Sequence, residues 1–135
     1  MPRSAFAVIA ALASLSFTSG CATLADAQAA KGTGTSREYA APVDKVWSAI
    51  PPVLVELQLP LVSQNRADGT VLAQRGVTPF SYGENVAIFV EPVGGAARTR
   101  VEIVNKRAMA TNVFAPDWST EILDKLGEKL RQPGR

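Results

Sequence analysis

Hydrophobic and polar positions change period several times along this chain. Ala5 to Phe17 is an unbroken apolar or small run of thirteen residues. That suits the central region of a secretion signal and is short for a membrane span, which needs roughly 20 apolar residues. No second run of that length follows. Residues 22–36, ATLADAQAAKGTGTS, show no apolar period and are rich in Ala, Gly, Thr and Ser. They predict a flexible tether. SREYA, 36–40, reads as a short strand with Arg37 and Tyr39 on one face. From Pro42 the period becomes helical. Val43, Val46, Trp47, Ile50, Leu54 and Leu57 share a face, with Asp44 in the first turn. Pro51 and Pro52 lie inside that pattern, so a kink or two short helices is expected.

The period then shortens to two. Leu61 to Arg66 and Thr70 to Arg75 read as hairpin arms around an Asp68-Gly69 turn. In Asn85–Glu91, Val86, Ile88 and Val90 alternate with Ala87, Phe89 and Glu91. In Arg98–Ala108, Thr99, Val101 and Ile103 point inward, and Arg98, Arg100, Glu102 and Lys106 outward. This predicts an antiparallel sheet with one buried and one wet face. The last segment returns to helical spacing. Asp117 is a good N-cap, and Trp118, Ile122, Leu123, Leu126 and Leu130 form a stripe that Gly127 weakens by roughly 1 kcal/mol. The predicted order is β-α-β-β-β-β-α. The fold class is α+β: a single antiparallel sheet of four to five strands with two helices on one face.

Composition narrows the chemistry. The 135 residues carry a formal charge of +2, or +1 once Arg3 is removed with the N-terminal segment. That balance gives no reason to expect a nucleic-acid partner. One cysteine excludes an internal disulfide. No histidine is present, which excludes Ser-His and Cys-His nucleophilic systems and His-ligated metal. The carboxylates fall in no recognisable acid–base motif. GTGTSR, 32–37, lacks the third glycine and the preceding strand of a dinucleotide fingerprint. A non-enzymatic protein with no cofactor and no metal is expected.

The single cysteine stands in TSGC, Thr18 to Cys21, just beyond the apolar run. This stretch resembles the lipobox of bacterial lipoproteins, with Ser19, Gly20 and Cys21 matching and Thr18 standing where a leucine-like residue is usual. The resemblance implies diacylglycerol transfer to the Cys21 sulfur and cleavage before it. Two or three acyl chains would then hold the domain at a bilayer. Ala22, where the sorting rule of such lipoproteins reads Asp as inner-membrane retention, implies the outer membrane. An alternative is cleavage after Ala27 in the A-x-A of Ala25–Ala27, which gives a soluble periplasmic or secreted protein. The expected organisation is a lipoprotein signal over 1–20, a lipidated N-terminus and tether over 21–35, and a folded domain over 36–131.

APVDKVWSAIPPVLVELQLPLVSQNRADGTVLAQ resembles the opening of small bacterial lipoprotein domains of the BamC-like, helix-grip type. The match rests on Val46, Trp47, Leu54, Leu57 and the Asp68-Gly69 turn. The later TRVEI strand and the APDW helix are similar too, and the likeness covers about residues 36–131. The double proline departs from that pattern. The resemblance implies a periplasm-facing accessory role in outer-membrane or envelope assembly, with an envelope protein as partner, and assigns no functional residue. The P-x-x-x-V-W element is also similar to START-like ligand-binding domains, which leaves a small hydrophobic ligand or lipid as a second expectation.

Three features have a plain and a sharp reading. Trp47 and Trp118 suit packing between helices and sheet, or the wall of a ligand cavity. Arg98, Arg100, Lys106 and Arg107 suit a solvated strand face, or contact with anionic lipid head groups. The loop RGVTPFSYGEN, 75–85, holds Phe80 and Tyr82. Folding back onto the core is the plainer expectation, and exposure would mark a partner or ligand surface. Phe80, Tyr82, Arg98 and Arg100 are therefore the candidate contact residues, and Cys21 the lipidation site.

Overall fold

A computed structural model of the chain describes residues 22–109 and 116–132. The elements are α1 (Leu24–Ala29), β1 (Thr35–Tyr39), α2 (Val43–Glu56), β2 (Leu61–Asn65), β3 (Thr70–Arg75), β4 (Glu84–Val93), β5 (Arg98–Arg107) and α3 (Trp118–Arg131). The five strands form one antiparallel sheet in the order β1-β5-β4-β3-β2. The α+β class and the single sheet agree with the periodicity.

The main core lies between the sheet and the layer formed by α2 and α3. Val86, Ile88 and Val90 of β4 and Val101 and Ile103 of β5 meet Val46, Ile50, Val53 and Leu54 of α2 and Ile122, Leu123 and Leu126 of α3. Every second strand residue points this way, which is why the period of two was visible. Tyr39 joins the same side, and its hydroxyl donates to the Leu123 carbonyl at 2.6 Å. Arg37, on the same face of β1, pairs with Asp124 at 2.7 Å.

The opposite face of the sheet is not uniformly wet. The stretch expected to be a tether instead contains α1, which packs on β4 and β5 from the other side. Ala27, Ala87, Phe89 and Val104 form a second buried cluster, with Ala30 and Leu72 against it. Thr23 caps α1: its hydroxyl accepts from the Asp26 amide, and the Asp26 carboxylate accepts from the Thr23 amide at 2.6 Å. Glu102, expected outward in solvent, is buried beneath the α1–β1 connection. Its carboxylate accepts from the amides of Gly32 at 2.7 Å and Gly34 at 2.8 Å. Gly34 must be glycine here, because a Cβ would lie 2.2 Å from the Ile103 carbonyl oxygen.

The prolines do not split the first long helix: α2 runs unbroken from Val43 to Glu56. Pro52 is exposed and Pro51 half-buried, so the backbone bonds they forgo are lost away from the apolar face. Val46, Ile50, Val53 and Leu54 hold that face to the core. The helix ends in a Schellman motif, with Gln58 at φ +53°, its amide donating to Val55 and the Leu59 amide donating to Leu54.

Candidate functional site

One end of the sheet collects the features that the fold leaves unexplained. It is formed by the β3–β4 loop, the C-terminal end of β5 and Ala22, the first described residue. The β4–β5 register places Arg107 opposite Glu84. Ala108 then donates to Gly83 at 2.9 Å, and Ala22 donates to Ala108 at 3.1 Å. The buried Asn85 side chain donates to the Ala22 carbonyl at 2.7 Å. Ala22 is thus fixed to the sheet by bonds in both directions.

The β3–β4 loop is a built turn. Thr78 donates to Ser81 at 2.7 Å, and Ser81 donates back to Thr78 at 3.3 Å, which leaves Pro79 and Phe80 at the tip. The Ser81 hydroxyl meets the buried Glu84 carboxylate and accepts from the Gly83 amide at 3.1 Å. Gly83 has φ +101°, and a Cβ there would stand 2.7 Å from the Arg75 carbonyl oxygen. With its stem pinned at Ser81, Gly83 and Glu84, the loop turns its apolar side chains out. Phe80 is 83% exposed, Val77 77%, Tyr82 57%, and the neighbouring Met109 40%. The plainer expectation, that the aromatics fold back onto the core, is not what the structure shows. Their signal was in the sequence, but Val77 and Met109 stood in no readable pattern.

Arg98 and Arg100 are not part of this surface. They lie at the other end of β5, about 23 Å or more from Arg107 at ordinary strand rise. Both reach Glu38 on β1, at 2.7 and 3.0 Å. The basic stretch therefore splits into a neutralised end and an end that carries Lys106 and Arg107. Cys21 lies outside the described residues.

The two tryptophans belong to the core, each with an arginine over its ring. Arg66 stands 5.8 Å from the Trp47 ring centre, and Arg75 stands 5.5 Å from that of Trp118. The interior between helices and sheet is filled by Ile50, Leu54, Ile88, Ile103, Ile122 and Leu126, each at most 1% exposed. The clefts on the described surface are open. One of about 300 Å³ lies beside the C-terminal half of β5, and one of about 330 Å³ lies at the outer seam of β1 and α3. Among the described residues, no group of three acidic or sulfur side chains is placed to hold a metal.

Titration effects are structural. Burial pushes the Tyr39 phenol up to about 12. The Lys129 ammonium lowers Glu56, and the Thr23 hydroxyl lowers Asp26. No family model matches the chain, and no curated protein matches it at a significant level.

Proposed function

We propose that this protein is a non-enzymatic, lipid-anchored domain of a Gram-negative-type cell envelope. In this reading it faces the periplasm from the outer membrane and acts through protein contacts in envelope assembly or maintenance. One observation carries it: the thirteen-residue apolar run followed by Ser19-Gly20-Cys21. The resemblance to BamC-like domains supplies the assembly role. Two features of the fold support the reading. The filled interior leaves the surface as the working part of the molecule, and the Val77–Tyr82 loop presents aromatics outward from a fixed stem. No helix among the described residues is long and apolar enough to cross a membrane, so attachment by acyl chains fits the described domain.

The test is metabolic labelling in a Gram-negative host with a tagged fatty acid, comparing the full chain with Cys21→Ser. Label on the wild type and none on the variant is the expected result. An unlabelled wild type, or equal label on both, defeats the anchor. Crosslinking in the same cells then identifies the envelope protein.

A further inference from the structure

The fold enters its described part at Ala22, one residue after the proposed anchor, and Ala22 is bonded into the sheet end that carries the exposed apolar loop. We infer that Val77, Phe80, Tyr82 and Met109 form a bilayer-contacting surface that seats in the interface of an anionic phospholipid membrane. The domain is then docked by this end of the sheet and does not swing on a tether. The inference rests on the anchoring reading and adds the orientation and the second point of attachment.

Four observations carry it. First, the distance is fixed: the Ala22 amide is bonded to Ala108, which is bonded to Gly83, next to Tyr82. Acyl chains on the preceding residue must enter a bilayer within a few residues' reach of the loop tip. Second, the loop is apolar where it is most exposed and rigid where it is rooted, so it can insert without first losing conformational freedom. Tyr82 is an amphipathic ring of the type that settles at head-group level. Third, this end carries Lys106, whose charge reaches Asp26, and the exposed Arg107. Lys106 and Arg107 have no carboxylate within salt-bridge distance among the described residues, whereas Arg98 and Arg100 at the far end share Glu38. Fourth, three acids near this end are turned to internal work, while Glu121 in the first turn of α3 stays exposed. Glu84 is buried against Ser81, Asp26 closes the Thr23 cap, and Asp117 caps α3. An apolar tip at the sheet end that carries Lys106 and Arg107 matches an anionic interface, where each basic group near the surface contributes roughly 1 kcal/mol.

The experiment uses the full chain, purified from host membranes and reconstituted in phosphatidylethanolamine–phosphatidylglycerol vesicles with brominated acyl chains. An environment-sensitive fluorophore is placed on Val77→Cys, or on Ala97→Cys in the β4–β5 turn at the opposite end. A labelling ratio above one fluorophore per chain reports a free Cys21 and counts against the anchor. The expected result is quenching by bromine at least about twofold stronger at position 77 than at 97, as for an interfacially seated group. Adding Phe80→Ser and Tyr82→Ser, both exposed and so compatible with folding, abolishes that difference while circular dichroism stays unchanged. Protein that stays on the vesicles with the position 77 probe as wet as the one at 97 overturns the docking and leaves the anchor standing. Protein that washes off overturns the anchor and the docking together. A blue shift at 77 that appears without vesicles and grows with protein concentration assigns the surface to a protein contact and overturns the proposal.

Discussion

Tyr39 shows how one side chain ties the sheet edge to the helix layer. It is 8% exposed, and its hydroxyl donates to Leu123 at 2.6 Å across the seam of β1 and α3. Burial raises the phenol from its ordinary 10 to about 12. The sign follows directly: between those values the unfolded chain loses the proton and the folded chain keeps it. Stability should therefore fall as pH rises through that window and be unaffected below it. Tyr39→Phe should cost about 1 kcal/mol at neutral pH, the usual net worth of such a bond, and flatten the alkaline fall. Urea midpoints at pH 8 and pH 11 check both, and an equal alkaline drop in the two proteins would contradict the assignment. Gln58 makes the opposite case. Its φ of +53° sits in the left-handed region at the end of α2, where glycine is the usual occupant. Gln58→Gly should stabilise by about 0.5–1 kcal/mol in the same titration, because relief of the left-handed strain exceeds the added freedom of the unfolded chain.

At the scale of elements, α1 is the case where local sequence and final structure part company. Six residues are too few for an isolated helix in water, and ADAQAAKGTGTS carries no apolar period to announce one. Only Ala27 and Ala30 touch the sheet cluster, and small residues leave little trace in a hydrophobic pattern. What makes the helix is tertiary: the cap at Thr23, the close fit of Ala27 at 0% exposure, and Glu102 gathering the Gly32 and Gly34 amides just after it. The strands and the two long helices were legible because each presents one repeating face to a single core. The Pro51-Pro52 pair does not divide its helix in two, because side-chain burial holds the apolar face across the missing backbone bonds. Ala27→Arg should undock α1, since no volume exists for the side chain, and cost about 1–3 kcal/mol. Thr23→Ala should cost about 0.5–2 kcal/mol. Amide exchange over 24–34 should accelerate in both variants before exchange in β4 changes. Uniform acceleration across the sheet would mean that α1 does not open as its own unit.

For the whole molecule, the consequence of α1 is that the sheet has cover on both sides, with Ala22 bonded to the sheet end. Periodicity could place Phe80 and Tyr82 on a loop, but not say that the loop faces out. That depends on the paired Thr78–Ser81 bonds and on Glu84 drawn inward. Nor could it show that Arg98 and Arg107, nine residues apart in one strand, end at opposite poles and that Arg98 is paired with Glu38. Deletion of residues 22–34, leaving the chain otherwise complete, tests the architecture as a unit. It uncovers Phe89, Ala87 and Val104 and removes both amide donors of Glu102. Re-exposing Phe89 alone costs about 1.5–3 kcal/mol by transfer. Glu102 loses its cover together with its donors, so water takes their place and it adds little. The truncated protein should therefore melt at a lower temperature and associate through the bared face of β4 and β5. Differential scanning calorimetry with light scattering reads both effects. A monomer with an unchanged melting temperature would mean that α1 rests on the sheet without supporting it.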